Sequence, residues 1–190
     1  MNRRLKQAAT VVLVGTLLAG CGGAKKGVAG KKAPGMNMQQ AADRADAMLD
    51  ATFAAIQPEV QWSPTATTAG SCDVTRRRMV MTVISEQRRG SFLGLAERFW
   101  KQSGYVIKSV DPDKQMPVIY AQSRDGFAIT VSVGDRGNVD FEVDTPCVQE
   151  SEVAEPKSKP NGPSYKGVWP LPLPNIHSDF WSADAPVEPN

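Results

Sequence analysis

The chain has 190 residues, of which 41% are hydrophobic and 22% are charged, with 22 Lys and Arg against 20 Asp and Glu. This composition fits one ordinary globular domain with additional segments, because two domains of about 100 to 150 residues each would need a longer chain. No apolar run approaches the ~20 residues of a membrane-spanning helix, which excludes a multipass membrane protein. One His and three Cys leave few residues for metal or nucleophile chemistry.

The first 21 residues have the pattern of a bacterial export signal. A basic start over residues 3–6 precedes a short apolar stretch over residues 8–18, which suits a signal better than a membrane span. Residues 18–21, Leu-Ala-Gly-Cys, resemble a lipobox, which implies acylation of the Cys21 thiol and removal of residues 1–20. The alternatives are an uncleaved anchor and a signal without lipid. We expect a protein held by acyl chains at the outer face of the cytoplasmic membrane.

Removing residues 1–20 leaves 19 basic and 20 acidic side chains, so the basic balance of the whole chain belongs to the signal. An exported domain without a basic excess is not expected to bind nucleic acid. Residues 21–36 are rich in glycine and lysine and predict a flexible tether that begins at the lipidated cysteine. The lysines of this tether either contact anionic lipid or are simply solvated.

Residues 37–56 predict an amphipathic helix, because apolar side chains recur there with a 3.6-residue period. Asn37 and Gln40 have the spacing of a capping box, and Pro58 ends the helix. The positions assigned to the buried face are Met38, Ala41, Ala42, Ala45, Met48, Leu49, Thr52, Phe53 and Ile56. The aspartates that are expected to face water are Asp43, Asp46 and Asp50.

The rest of the domain predicts one more helix and several strands. Residues 63–71 form a polar loop, and the second half of residues 72–85 predicts a strand that is apolar on both faces. The second helix is predicted from Gly90 to the stop at Gly104. Short apolar runs at 105–110, 118–123, 127–133 and 139–143, separated by turn residues, predict an antiparallel meander.

These elements predict an α+β domain over residues 37–148, with both amphipathic helices on one face of a mostly antiparallel sheet of about four or five strands. Cys72 and Cys147 remain as an even pair in an oxidising compartment and are expected to form a disulfide that joins the first strand to the last. Closing a loop of this length stabilises a fold by roughly 4 kcal/mol. A redox-active pair is the alternative, but the Cys-x-x-Cys spacing is missing.

Residues 149–190 form a Pro-rich, acidic tail that is not expected to build a core of its own. Residues 169–174, Trp-Pro-Leu-Pro-Leu-Pro, predict a polyproline II ribbon, and its Trp169, Leu171 and Leu173 side chains are candidates for contact with a protein partner. Two alternatives stay open: the tail folds back on the domain through Trp169, Phe180 and Trp181, or it is a plain spacer.

The sequence offers few groups for catalysis. His177 is the single histidine, and it lies in the Pro-rich tail beside Asp179, without elements that would orient a triad. No Gly-rich phosphate loop follows a strand, and no cluster of His, Cys and Asp has metal-ligand spacing. We therefore expect no metal, no cofactor and no enzymatic activity.

Five arginines are the sharpest chemical feature of the domain. They are Arg76, Arg77, Arg78, Arg88 and Arg89. Arginine forks suit bidentate contacts with an anion, and a bound anion would relieve the conflict between a basic helix start and the helix dipole. Candidate anions are a lipid headgroup, a phosphate-bearing envelope polymer and an acidic partner segment. The alternatives are solvated arginines, pairing with Glu86 and pairing with the acidic tail; residues 76 and 78 would also face away from residue 77 on a strand.

Beyond the lipobox, a second resemblance rests on five segments: residues 70–78 (Gly-Ser-Cys-Asp-Val-Thr-Arg-Arg-Arg), 88–94 (Arg-Arg-Gly-Ser-Phe-Leu-Gly), 99–101 (Phe-Trp-Lys), 103–105 (Ser-Gly-Tyr) and 145–148 (Thr-Pro-Cys-Val). They are similar to a group of streptomycete-type actinobacterial lipoproteins that has no assigned activity, so the resemblance implies a location and no mechanism. We expect a membrane-anchored, extracytoplasmic lipoprotein that acts as a non-catalytic binding or accessory module of the cell envelope. A cell-wall-directed enzyme and a scaffold that presents the tail to a partner are the alternatives.

Overall fold

The computed structural model describes residues 35–163 and 173–184, and Cys21, Trp169 and Leu171 lie outside these ranges. The helices of the described residues are α1 (Met38–Ala55) and α2 (Glu86–Gln102). The strands are β1 (Trp62–Pro64), β2 (Thr68–Ala69), β3 (Val74–Val80), β4 (Val106–Asp111), β5 (Val118–Gln122), β6 (Ala128–Val133) and β7 (Val139–Asp144). Within the described ranges, neither helix is long and apolar enough to cross a membrane.

All seven strands join one antiparallel sheet in the order β1-β3-β7-β6-β5-β4, with β2 also paired to β3. The α+β class and the meander from β4 to β7 are confirmed. The expected four or five strands are too few, because β1 and β2 lie in the stretch that was predicted to be mostly loop. These strands have only three and two residues, so they carry no alternation that a sequence pattern could reveal.

Helix α1 follows its prediction closely. Asn37 and Gln40 form a reciprocal capping box, and the predicted buried face is buried throughout. Helix α2 begins four residues before the expected start at Gly90, so Arg88 and Arg89 lie in its first turn. Its end is confirmed at Gly104, whose φ of 80° is the left-handed conformation that favours glycine.

The core lies between the sheet and the helices and is centred on Phe141 of β7. The Phe141 ring is 5.0 Å from Phe53 of α1, and 6.2 and 6.3 Å from Phe92 and Trp100 of α2, measured between ring centroids. The apolar residues of β6 and β7 pair with one another across the two strands, including Val131 opposite Phe141. Both helices therefore cover the same face of the sheet.

Strand β3 is the first half of the 72–85 segment, whereas the second half was expected to be the strand. β3 pairs with β7 from Thr75 to Val80, and β7 begins at Val139, so pairing with β7 stops there. The next residues pair with the tail instead: Met81 accepts a backbone hydrogen bond from Ile176, and Val83 donates one back to Ile176. The arginines of residues 76–78 thus lie inside a central strand.

The expected disulfide between Cys72 and Cys147 is present, with a Cα–Cα distance of 4.8 Å. Cys72 lies just before β3 and Cys147 just after β7, so the bond closes one end of this central strand pair. At the same end, Gln149 exchanges backbone hydrogen bonds with Met36 and Met38. The chain therefore enters the domain beside the disulfide, at what we call the disulfide end.

The described parts of the tail pack against the domain, which the sequence had left open. Trp181 is fully buried in the core, where its ring meets Phe92 edge-on and its indole nitrogen donates to the Pro58 carbonyl at 2.6 Å. Ser85 donates its backbone N–H to the Trp181 carbonyl. Residues 173–184 thus extend the domain at the end opposite the disulfide, where α2 begins and the β6–β7 turn lies.

Candidate functional site

The arginines of β3 are already paired with other residues of the domain. Arg76 is 1% exposed and forms an ion pair with Asp46 of α1 at 3.3 Å. Its other nitrogens donate to the Thr67 hydroxyl at 2.6 Å and to the Ala154 carbonyl at 2.7 Å. One guanidinium therefore joins β3 to α1, to the loop before β2 and to the tail, and it cannot reach an external ligand.

Arg78 and Arg77 are also paired, on opposite faces of the sheet. Arg78 is 2% exposed, pairs with Asp50 at 2.7 Å and lies 3.9 Å from the centroid of the Trp62 ring. Arg77 faces outward and pairs with Glu142 of β7. The expected alternation along the strand is confirmed, and the five arginines do not form one surface.

Asp46 corrects the expectation that the three aspartates of α1 all face water. It is buried, because Arg76 lies beneath α1 on the covered face of the sheet. Burial raises the pKa of Asp46 above its ordinary value, and the neighbouring Arg76 and Arg78 oppose that rise. Burial likewise lowers the pKa of Arg78, against the effect of Asp50. Asp46, Asp50, Arg76 and Arg78 thus form a structural network between α1 and β3.

The arginines at the start of α2 differ from those of β3. Arg88 is buried against the tail, with its guanidinium 4.7 Å from the centroid of the Phe180 ring. Arg89 lines a groove of about 470 Å³ together with Arg136 of the β6–β7 turn. Among the described residues, no ion pair involves Arg88, Arg89 or Arg136.

The β6–β7 turn places Arg136 at this groove. Gly137 donates a backbone hydrogen bond to the Gly134 carbonyl at 2.9 Å and has a φ of 75°, which favours glycine. The guanidinium of Arg89 lies so close to Gly137 that a Cβ added there would be 2.5 Å from its Nη2. The tight turn and the missing side chain together let the Arg89 guanidinium lie against the backbone next to Arg136.

The other walls of the groove are mixed. Ser85, the N-cap of α2, makes no side-chain cap, because its hydroxyl donates to the Ala183 carbonyl instead. Glu86 and Asp184 add two carboxylates to the lining. Val83 and Leu173 add apolar side chains, so one of the three predicted tail contacts lies in the groove.

The groove offers charged and apolar side chains to a ligand. Arg89 and Arg136 supply hydrogen-bond donors only. In the described part of the chain, no group of three His, Cys, Asp or Glu side chains could hold a metal ion. The arrangement suits an anion, with each arginine offering a planar fork of donors.

Arg136 is the groove residue that sequence reasoning missed. Residues 134–138 were predicted as a turn between two alternating strands, and that pattern does place Arg136 at one end of the sheet. The sequence held no signal that the start of α2 faces this turn. Of the five arginines that it proposed, only Arg89 lines the groove.

No protein-family model, curated protein or solved structure matches the chain. The function is therefore argued from the groove and from the sequence pattern.

Proposed function

We propose that this chain is a lipid-anchored protein of the bacterial cell envelope, whose disulfide-linked domain is a non-catalytic module that binds an anionic partner. The export-type N-terminus and the lipobox-like residues 18–21 support the anchor on Cys21 and the location at the outer face of the cytoplasmic membrane. The disulfide between Cys72 and Cys147 is in keeping with an oxidising compartment.

One observation carries the binding role: Arg89 and Arg136 line the same groove, and no carboxylate of the described residues forms an ion pair with either. Two guanidinium groups that line one groove repel each other, and Arg89 also lies at the positive end of the α2 dipole. An anion bound in the groove would offset both unfavourable terms. The three arginines of β3, by contrast, already have carboxylate partners.

The anchor is tested by the intact mass of the membrane-extracted protein. We expect a mass that lacks residues 1–20 and includes acyl chains on Cys21, and alkylation of Cys72 and Cys147 only after reduction. The matched control is Cys21→Ser, which should leave the membrane fraction. An unlipidated mass of the parent protein would contradict the anchor.

Anion binding is tested on the chain produced without residues 1–20 and with Cys21→Ser, titrated with inorganic phosphate and with glutarate while backbone amide shifts are followed by NMR. We expect shifts at residues 86–89 and 136–137. Arg89→Ala and Arg136→Ala should each weaken binding about tenfold, the value of one charged hydrogen bond. Arg124→Ala removes an exposed arginine at the disulfide end and should have no effect. Shifts that survive both groove substitutions would contradict the binding role.

A further inference from the structure

The groove at the start of α2 has an apolar wall as well as arginines. Val83 and Leu173 are 37% and 43% exposed, and both line it. The other large, exposed apolar side chains of the described residues lie elsewhere: Val106, Val110, Met116 and Tyr120, on β4, on β5 and in the loop between them. The groove therefore offers two guanidinium groups and an apolar surface within one concave site.

The acidic lining favours some anions over others. Glu86 and Asp184 lie in the same groove as Arg89 and Arg136. A uniformly charged polymer would meet these carboxylates with like charge, whereas a peptide can place a carboxylate on the arginines and an uncharged residue beside Glu86 and Asp184. The mixture of charge and apolar surface thus matches a mixed sequence better than a phosphate chain.

The position of the groove also separates it from the anchor. The chain enters the domain beside the disulfide, where Met36 and Met38 bond to Gln149, and the groove lies past the other end of β7. Six residues of β7 separate the two ends, a span of roughly 20 Å at ~3.4 Å per residue. The groove and the point where the chain enters the domain therefore lie at opposite ends of the strand pair formed by β3 and β7.

Resting on the anion-binding function proposed above, we infer that the groove binds an acidic peptide segment of another envelope protein. One carboxylate of the segment contacts Arg89 and Arg136, and a neighbouring apolar side chain packs on Val83 and Leu173. The charge pairs set the position of the segment, and the apolar contact adds affinity that a simple anion does not have.

The test uses the peptide Gly-Glu-Leu-Glu-Gly, acetylated and amidated at its ends, with the protein form and NMR titration described above. We expect it to bind at least tenfold more tightly than glutarate, and at least threefold more tightly than the same peptide with Ala in place of Leu. Leu173→Ala should remove most of the advantage of Leu over Ala. Val106→Ala, an exposed valine outside the groove, and Arg124→Ala are the controls and should change nothing.

The outcomes distinguish the two proposals. If glutarate binding depends on Arg89 and Arg136 but the leucine adds nothing, the peptide inference is wrong and the anion-binding function stands. If no probe depends on these arginines, both are wrong. Vesicles of phosphatidylglycerol form a third arm, and Arg89-dependent, Leu173-dependent binding to them that exceeds peptide binding would identify a lipid headgroup and overturn the peptide inference.

Discussion

Two groups of arginines in this molecule have opposite surroundings, although Arg89 of the second group follows Arg78 of the first by only 11 residues. Arg76, Arg77 and Arg78 of β3 each form an ion pair with a carboxylate of α1 or β7. Arg89 and Arg136 line a groove and form no ion pair with any described residue. The first group joins elements of the fold, and the second group is the one that we propose binds an anion.

The difference follows from which acidic residues each element meets. Strand β3 lies in the sheet beneath α1, whose Asp46 and Asp50 follow at the spacing of one helical turn and reach the covered face. The start of α2 meets a turn and a tail segment. The carboxylates of Glu86, in α2, and Asp184, in the tail, line the groove without forming an ion pair with Arg89. A run of arginines in a sequence therefore indicates a ligand-binding site only when the residues that pair with it in the fold are known.

The largest expected effect is on the paired group. Arg76→Met should lower the free energy of unfolding by about 3–5 kcal/mol, because it leaves Asp46 buried without its partner. Urea denaturation measures this loss. The double variant Arg76→Met/Asp46→Leu should be more stable than Arg76→Met alone, since no charge is left unpaired. A loss below about 1 kcal/mol in the single variant would show that Arg76, like Arg89 and Arg136, has no stabilising ion pair with the described residues.

A smaller effect on stability is expected at Gly137, which follows Arg136 in the β6–β7 turn. Gly137→Ala should cost about 1–2 kcal/mol, because the φ of 75° is left-handed and the new Cβ meets Arg89. It should also weaken glutarate binding with both arginines still present. The matched glycine is Gly90, in helical conformation with open space around it, where alanine should raise stability by up to about 1 kcal/mol. Unchanged glutarate binding by Gly137→Ala would show that the conformation of this turn does not affect the binding site.

The outer face of β7 offers a carboxylate that no β3 arginine reaches. Burial raises the pKa of Asp140 above its ordinary value of 3.8, and Glu142 adds repulsion, while Asn138 donates a hydrogen bond that opposes the rise. The folded protein therefore holds this proton more tightly than the unfolded chain, and ionisation costs stability at neutral pH.

Asp140→Asn should accordingly raise the melting temperature at pH 7, by less than Arg76→Met lowers it. The gain should shrink as the pH falls through the raised pKa and vanish below 3.8, where Asp140 is protonated in both states. Melting curves at pH 7 and pH 3 measure it. An equal gain at both pH values would show that ionisation of Asp140 is not the cause.

The smallest effect on stability is expected at Arg136. Arg136→Ala should change the free energy of unfolding by no more than about 0.5 kcal/mol, because its side chain is exposed and forms no ion pair with the described residues. The variant should still bind glutarate about tenfold more weakly. A loss of stability comparable to that of Arg76→Met would remove the distinction between the two groups.

Much of the fold could be predicted because it depends on local patterns. The period of α1, its capping box, the antiparallel meander and the cysteine pair could all be predicted before the structure. Strand β3 was misplaced because a strand with arginines at two covered positions contradicts the usual apolar alternation. Only the contact with α1, far away in the sequence, makes those positions favourable for charge.

The candidate site was less predictable because it is assembled from three distant segments. Arg89 was proposed from the start of a helix, and Leu173 from a Pro-rich ribbon, but as separate features. Their meeting with Arg136 depends on how the end of the sheet, the start of α2 and the tail pack together. No local propensity encodes such a contact, so the sequence offered candidates without the surface that joins them.

The burial of Trp181 fixes the order in which the chain can complete its core. Ribosomes make a protein from its N-terminus. The residues of both helices and of all seven described strands are therefore synthesised before Trp181 is available to fill the space beside Phe92. Until then the domain lacks one of its largest buried side chains. The final packing of the core must therefore wait for the tail.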